Sequence, residues 1–119
     1  MKLHDWQSIP TEAMNDLVGR QVIHTGGMTI AIIYLKQGAV VPRHSHVNEQ
    51  VSMVRSGRLR FLFDDAERVV GAGEVVEIAP HLAHRVEALE DSVAVDIFTP
   101  RREDWISGDD AYLRQGASR

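Results

Sequence analysis

The feature that most constrains the fold is a series of short, apolar, β-branched segments separated by Gly, Pro and Asp. Residues 58–63 alternate with period two and place Leu59, Phe61 and Phe63 on one face, as a half-buried strand does. The acidic pair at 64–65 predicts a hairpin turn after this strand. Further strands are predicted at residues 20–24, 28–36, 49–54, 67–70, 75–78, 85–89 and 92–98. Seven or eight short strands at this spacing are typical of an all-β sandwich or barrel.

The length of the chain predicts one domain. The chain has 119 residues, and domains of roughly 100–150 residues are the commonest. Residues 1–19 are polar, and we expect them to form an N-terminal arm with one short helix at 11–17, which Thr11 caps. The barrel is expected over residues 20–99, and a tail over residues 100–119 completes the domain.

The tail departs from the strand pattern. Residues 102–106 and 110–113 have helical spacing, and a Ser-Gly pair separates them. Its large apolar residues are Trp105, Tyr112 and Leu113. We expect these side chains to pack on the rim of the barrel, to close one end of a pocket, or to form part of a dimer contact. A homodimer is expected, because a two-fold dimer is the commonest symmetric assembly.

Composition and charge exclude several classes of function. Thirteen Lys and Arg against 17 Asp and Glu give a net charge of -4, which argues against a partner that is nucleic acid or an anionic membrane surface. The chain has no cysteine, so disulfides, thiolate metal sites and cysteine nucleophiles are excluded. No apolar run approaches the roughly 18–20 residues of a membrane span. The first residues lack a signal-peptide segment, so a cytoplasmic location is expected.

Three of the six histidines are spaced as metal ligands. In a strand, residues i and i+2 point to the same face, so His44 and His46 are expected to converge on one ion. Gln50 has the same parity, and antiparallel packing of a later strand would bring His84 beside this group. Three imidazoles and one amide oxygen suit one divalent transition metal and leave a coordination position open for substrate.

The other three histidines lack such partners. His4, His24 and His81 stand apart from this pattern, and we expect them to be solvated or structural. The ligand types leave Zn, Ni, Fe and Mn as alternatives, since affinity order and metal availability decide between them.

Asp96 is a carboxylate inside an apolar strand. Strand parity places Ala94, Asp96 and Phe98 on one face, which we interpret as the barrel interior. A buried carboxylate must be paired, hydrogen-bonded or functional. One interpretation is a salt bridge to Arg58 or Arg60. The other is proton transfer near neutral pH, because desolvation raises the pKa of a carboxyl group.

The spacing of the first histidines resembles a family motif. The run Gly38-x5-His44-x-His46-x3-Gln50-x6-Gly57 is similar to the first conserved motif of the cupins. Its last glycine is expected to turn a hairpin. The usual glutamate ligand is replaced by Gln50, which removes a negative charge from the site. That change favours Lewis-acid or proton-transfer chemistry over oxygen chemistry, because a more oxidised metal is less well stabilised.

A second run resembles the second cupin motif. Gly73-x5-Ala79-x-His81-x2-His84 has its spacing, but Ala79 and His81 replace the usual Pro and Gly, and Ala88 replaces a trailing Asn. Together the two motifs imply a cupin double-stranded β-helix, or jelly-roll barrel, with a short C-terminal helical tail.

A narrower resemblance runs from about residue 38 to residue 104. It is carried by residues 44–50, 86–92, 96–98 and 100–104, which are similar to those of the KdgF-type cupins. Those small bacterial enzymes act in pectin and alginate breakdown, and they linearise 4,5-unsaturated monouronates to 5-keto-4-deoxyuronate. The resemblance implies a metal-dependent isomerase or tautomerase whose substrate is a small carboxylate.

The resemblance also implies roles for three residues near the end of the barrel. Asp96 would transfer the proton. Arg102, close after the last strand, would clamp the substrate carboxylate bidentately; its alternative is a solvated charge. Phe98 would shape the pocket wall, with ordinary core packing as its alternative.

Two other functions fit the same sequence. One is a metal-dependent cupin dioxygenase that acts on a small organic substrate, since small cupins often carry out that chemistry. The other is a cupin that binds a small ligand without turnover. Oxygen consumption would indicate the first, and a metal that contributes only to thermal stability would indicate the second.

Overall fold

A computed structural model describes residues 1–115 of the protein. Its ten strands are β1 (Glu12–Ala13), β2 (Val18–His24), β3 (Thr29–Leu35), β4 (Val40–His44), β5 (Glu49–Ser56), β6 (Arg58–Leu62), β7 (Glu67–Gly71), β8 (Val75–Ile78), β9 (His84–Ala88) and β10 (Ser92–Thr99). A 3-10 turn at Trp6–Ser8 precedes them, and two short helices follow, α1 (Glu103–Ile106) and α2 (Ala111–Gln115). None of the helices in this part of the chain is long and apolar enough to cross a membrane.

The strands form two antiparallel sheets. The order is β1-β2-β3-β10-β5-β8 in the six-stranded sheet and β4-β9-β6-β7 in the four-stranded sheet. Alternating apolar residues of both sheets meet in one core, which includes Val54 and Ala94 from the first sheet and Leu59, Phe61 and Val86 from the second. This jelly-roll arrangement confirms the all-β barrel with a helical tail.

Two pairings position the later functional residues. Strand β10 lies between β3 and β5, so that Asp96 stands opposite Ala31 on one side and Ser52 on the other. Strand β4 pairs with β9, and His44 is the direct partner of His84. The inward parity of Ala94, Asp96 and Phe98 predicted from the sequence is confirmed, since all three line one internal cavity.

The helix predicted at residues 11–17 is wrong. Glu12 and Ala13 instead form a short edge strand that pairs with Arg20 and Gly19 of β2. The side chain of Asn15 accepts hydrogen bonds from the backbone N–H groups of the next residues along, Leu17 and Val18. Such a local bond offers the backbone an alternative to the helical ladder, so a turn replaces the helix.

Strand β4 was not among the predicted strands. Its sequence, Val40–His44, contains Pro42, which breaks the apolar pattern. The strand lies at the edge of the four-stranded sheet, where a proline is tolerated because one side of the strand needs no ladder hydrogen bond.

Gly57 does not turn a hairpin. It connects β5 of the six-stranded sheet to β6 of the four-stranded sheet, so the chain changes layer there. Its φ of 84° lies in the left-handed region that favours glycine. A Cβ atom at this position would collide with the side chain of Ser92 and the backbone of Asp91.

Candidate metal centre

Three histidines converge at the end of the β4–β9 pair. His44 is the last residue of β4 and His84 the first of β9, while His46 lies in the connection from β4 to β5. Their candidate ligand atoms all lie within 4.8 Å of one another. The expected convergence is confirmed, but its predicted cause is wrong. His44 and His46 do not share a strand, because β4 ends at His44 and His46 lies in the irregular connection that follows.

Backbone carbonyls fix the orientation of all three rings. In each histidine, Nδ1 lies within hydrogen-bond distance of a carbonyl oxygen two residues away. The pairs are His44 with Pro42 at 2.8 Å, His84 with Leu82 at 2.8 Å, and His46 with Asn48 at 3.0 Å. A carbonyl oxygen can only accept, so Nδ1 carries the proton and the Nε2 lone pair is left for a ligand. Metal-binding histidines are commonly oriented in this way.

Gln50 completes the donor set. Its amide nitrogen donates to Ser52 Oγ at 2.9 Å, and its Oε1 lies 3.0 Å from Nε2 of His46. With the imidazole proton on Nδ1, neither of these two facing atoms carries a hydrogen. A cation that accepts both lone pairs would remove this repulsion.

His84 gives a second sign that the cluster suits a cation. Its Nε2 is shielded from solvent and has no hydrogen-bond partner within residues 1–115. A buried, unpartnered acceptor is costly. The four predicted ligands, His44, His46, Gln50 and His84, therefore fit one divalent metal ion.

Burial keeps these imidazoles neutral. Desolvation, reinforced by the neighbouring His84, lowers the pKa of His44 to about 3. Desolvation and then the Arg102 charge lower the pKa of His46 to about 4. The pKa of His84 is also lowered, again first by burial. At neutral pH all three rings are therefore ready to bind a metal without losing a proton.

A small internal cavity of about 50 Å³ adjoins the histidines. The polar groups that line it are His44, Gln50, Ser52, His84, Asp96 and Arg102. Apolar side chains from both sheets and from the tail form the remaining walls. The barrel thus brings a candidate metal-binding cluster, one carboxyl group and one guanidinium to the same cavity.

Asp96 is an unusual acid in this cavity. Its Oδ1 is shielded from solvent and has no hydrogen-bond partner within residues 1–115. Burial raises the pKa of Asp96 to about 6, although the Ser52 hydroxyl and the Arg102 charge act in the opposite direction. A carboxyl group with this pKa exchanges its proton readily near neutral pH.

The alternative salt bridge of Asp96 is wrong. Arg58 instead pairs with Glu90 at 2.8 Å. Arg60 pairs with Glu87 at 3.2 Å, and 36% of its side chain is exposed to solvent. Neither guanidinium reaches the cavity, so the carboxyl group of Asp96 lacks the structural role that those partners would have given it.

Arg102 lies inside the protein, and only 1% of it is exposed. Its Nε and Nη2 donate to the two carboxylate oxygens of Asp104 at 3.0 and 2.8 Å, and its guanidinium lies 4.7 Å from the centre of the Phe98 ring. Burial lowers the pKa of Arg102, but Asp104 and Tyr112 outweigh this effect and raise it. The alternative of a solvated charge is therefore wrong, because ring and carboxylate together hold the guanidinium in place.

The tail supplies three further residues to the cavity. Trp105, Tyr112 and Leu113 close one end of the cavity, which was one of three alternatives for them. The ring of Tyr112 stacks on His44 with 4.5 Å between ring centres. The only sequence signal for this contact was the presence of aromatic residues after the last strand. Their distance along the chain from the first motif concealed it.

The remaining histidines lie outside the cluster. His4 is exposed, and His24 shares a hydrogen bond of 2.7 Å with Thr29. His81 has a left-handed φ of 66°, and its backbone N–H donates to the carbonyl of His46 at 2.8 Å. His81 therefore has a structural role, since it fixes the loop that carries a ligand.

The chain is similar to one known protein family and to several solved structures. The sequence matches the family described as Cupin domain over residues 31–99. The comparison with curated proteins gives no match. Among solved structures, KdgF from Halomonas sp. is similar with 25% identity and a TM-score of 0.78, over 83% of this chain and 94% of that one.

Two further structures share the fold. An RmlC-like cupin from Shewanella frigidimarina NCIMB 400 has 24% identity and a TM-score of 0.82, over 88% of this chain and 96% of that one. A predicted oxalate decarboxylase from Thermotoga maritima has 15% identity and a TM-score of 0.73, over 83% of this chain and 99% of that one. At these identities the two structures support the fold, and the reaction must be argued from the site.

Proposed function

We propose, for a chain that belongs to the Cupin domain family, a metal-dependent isomerase that opens the ring of a 4,5-unsaturated monouronate. The observation that carries the proposal is the unpartnered Oδ1 of Asp96, which lies in the same cavity as the metal-binding histidines. Similarity to KdgF from Halomonas sp. supports the substrate class.

The metal would be held by His44, His46, Gln50 and His84. When bound, a divalent ion supplies a Lewis acid that polarises sugar oxygens. The neutral amide of Gln50 leaves the full charge of the ion available for this purpose, because it adds no negative charge to the site. Ligand types alone do not choose between Zn, Ni, Fe and Mn.

The reaction is an isomerisation with a balanced transfer of one proton. The anomeric hydroxyl loses its proton, the bond from C1 to the ring oxygen breaks, and an aldehyde forms at C1. The electron pair passes through the ring oxygen and the 4,5 double bond, so C5 becomes a ketone and C4 takes a proton. Asp96, with its pKa raised to about 6, is suited to transfer that proton within the cavity.

Arg102 and Phe98 would position the substrate. The Arg102 guanidinium has no protein acceptor for Nη1 within residues 1–115, so this nitrogen is available to a substrate carboxylate. Phe98 supports the guanidinium from one face at 4.7 Å and also lines the cavity. The two residues would hold the sugar ring with its carboxylate away from the acid of Asp96.

A direct turnover assay tests the proposal. Metal-loaded protein is mixed with a lyase-generated unsaturated monouronate, and loss of the near-ultraviolet absorbance of the enol ether is followed against buffer. We expect acceleration that a chelator removes. No acceleration with any unsaturated uronate would reject the proposal, and oxygen uptake would then be the next measurement.

Asp96→Asn separates the acid from the metal site. We expect metal content to be unchanged and the rate constant to fall by about 10²–10⁴-fold, the usual contribution of a positioned acid or base. Asp64→Asn is the matched control, since Asp64 is an exposed surface carboxylate that pairs with Arg43. Full activity of Asp96→Asn would show that another group moves the proton.

A further inference from the structure

We infer that Tyr112 is a specificity-determining residue, because its hydroxyl occupies the place on Arg102 that a ligand carboxylate would take. This inference rests on the proposed function only for the substrate class. It predicts that an anionic ligand must displace Tyr112, and with it helix α2, before it can enter the cavity.

The first observation behind this inference is the hydrogen bonding of the Arg102 guanidinium. Nε and Nη2 of Arg102 already bind Asp104 side-on at 3.0 and 2.8 Å. An end-on carboxylate would need the remaining hydrogen of Nη2 together with Nη1, since a guanidinium offers two such forked faces. The remaining hydrogen of Nη2 donates to the hydroxyl of Tyr112 at 2.6 Å. Tyrosine and ligand therefore compete for one N–H group.

The second observation is the small volume of the cavity. The space is about 50 Å³, which holds roughly four water molecules. Pockets that bind small molecules usually have about 300–1,000 Å³, so a monouronate does not fit until a wall moves. The Tyr112 ring fills part of the space in which such a ligand would lie, because it stacks on His44.

The attachment of α2 identifies the wall that moves. Strands of the barrel are held by backbone ladders, whereas no backbone hydrogen bond joins α2 to a strand within residues 1–115. Side chains hold it instead. Asp110 pairs with buried Arg20, and Arg114 pairs with Glu12 at 2.7 Å. Arg20 and Glu12 belong to β2 and β1, and the apolar side chains of α2 that pack on the core are Leu113 and Tyr112. A few side-chain contacts therefore hold α2, and these are the contacts that must break when it moves.

Trp105 reports on the contact. Its Nε1 donates to the Tyr112 hydroxyl at 3.1 Å, and the Arg102 guanidinium lies 4.5 Å from the centre of its ring. Departure of Tyr112 would therefore change its emission. Trp6 is the only other tryptophan, and it lies outside the cavity, so Trp6→Phe provides a single-tryptophan background.

Zinc-loaded Trp6→Phe protein is titrated with galacturonate, a saturated monouronate, and Trp105 emission is recorded. We expect a saturable change with galacturonate and none with galactose. Adding Tyr112→Phe should tighten galacturonate binding about tenfold, since it removes a hydrogen bond to a charged group that the ligand must replace. In this variant the change in Trp105 emission on galacturonate binding should be smaller than in the Trp6→Phe parent.

Two further variants test whether the effect on galacturonate binding is specific to Tyr112 and α2. Tyr34→Phe also removes one tyrosine hydroxyl bond, to Gln21 at 2.6 Å and outside the cavity, and should leave galacturonate binding unchanged. Arg114→Gln loosens α2 at the surface and should tighten binding about twofold. Galacturonate that fails to bind, or that binds Tyr112→Phe equally or more weakly, would overturn the inference.

Turnover distinguishes this inference from the proposed function. If the unsaturated uronate is converted, Tyr112→Phe should lower KM about tenfold and leave kcat unchanged; an unchanged KM overturns the inference alone. If no uronate is converted but galacturonate binds Tyr112→Phe more tightly than the parent, the inference stands and the proposed function fails.

Discussion

Asp96 shows, at the scale of a single residue, how a group suited to catalysis reduces stability. The residue is half-buried in an apolar strand, and its Oδ1 is shielded from solvent without a hydrogen-bond partner in the part of the chain that the structure describes. The folded protein therefore binds the proton of Asp96 more tightly than the unfolded chain does, and its pKa rises from 3.8 to about 6. Ionisation above that pH then favours unfolding.

We predict that Asp96→Asn stabilises the protein at pH 8 by about 1–3 kcal/mol. The sign follows from the raised pKa: the penalty is absent below pH 3.8, where both states are protonated, and grows until about pH 6. Urea unfolding of both proteins at pH 4 and pH 8, each without metal, measures the difference. A variant that is less stable than the parent at pH 8 would contradict this account.

At the scale of elements, two connections between the sheets meet at one point. The β5–β6 connection passes through Gly57, and the backbone N–H of Arg58 donates to Ser92 Oγ at 3.1 Å. Ser92 begins β10 after the β9–β10 connection, and its hydroxyl also donates to the carbonyl of Glu90 at 2.8 Å. The hydroxyl of Ser92 therefore joins the β5–β6 connection to the β9–β10 connection and fixes the position at which β10 begins.

We predict that Gly57→Ala destabilises the protein by about 2–4 kcal/mol. The new Cβ combines left-handed strain with a collision against Ser92 and Asp91. Gly38→Ala is the matched control, because its φ of 90° is similar and nothing lies within 4 Å of the added atom. It should cost about 1 kcal/mol. Equal losses for the two variants in urea unfolding would show that the close approach is unimportant.

At the scale of the whole molecule, the candidate metal site joins the two sheets. His44 and His84 belong to the four-stranded sheet, whereas Gln50 belongs to β5 of the six-stranded sheet. A bound ion would therefore link both layers and would stabilise the native state by binding it in preference to the unfolded chain. The same cluster makes the metal-free barrel sensitive to acid, because three neutral imidazoles, one of them buried and two half-buried, lie close together.

We predict that metal-free protein loses stability as pH falls from 6.5 towards 4, by roughly a few kcal/mol. In this window the unfolded histidines bind protons, but folded His44 and His46 do not, since their pKa values are about 3 and 4. Asp96 acts in the opposite direction, so the test uses the Asp96→Asn background. Thermal unfolding with a chelator at pH 7 and pH 5 measures the effect, and an unchanged Tm would refute it.

Metal binding should raise Tm at pH 7 and should do so less at pH 5. Protons compete with the ion for the imidazoles, so acid weakens metal binding. Thermal unfolding with and without added Zn²⁺ at each pH gives the two shifts. An equal shift at both pH values would indicate that the ion binds elsewhere. His24→Gln, which lies outside the cluster and contacts Thr29, should leave the shift at pH 7 unchanged.

Much of the fold followed from local sequence. Alternation over 58–63 gave β6 at Arg58–Leu62, and the strand predicted at 75–78 has those bounds in the structure. The failures were local as well. Thr11 suggested a helix where Asn15 makes a turn, and a proline concealed β4. At Asn15, side-chain hydrogen bonds to the backbone form a turn in place of the helix. At β4, pairing at the edge of a sheet forms a strand although the apolar pattern is interrupted.

The sequence by itself determined the types of strand, the inward face of Asp96 and the spacing of the histidine ligands, because these depend on short-range periodicity and parity. Only the tertiary structure decided that His46 lies in a connection outside the strand of His44, that Arg102 is held by Asp104, and that the tail closes the cavity with Tyr112. Those contacts depend on how two sheets and a tail pack in space. Residues 44 and 112 carry no local signal of each other, since packing geometry rather than sequence periodicity brings them together.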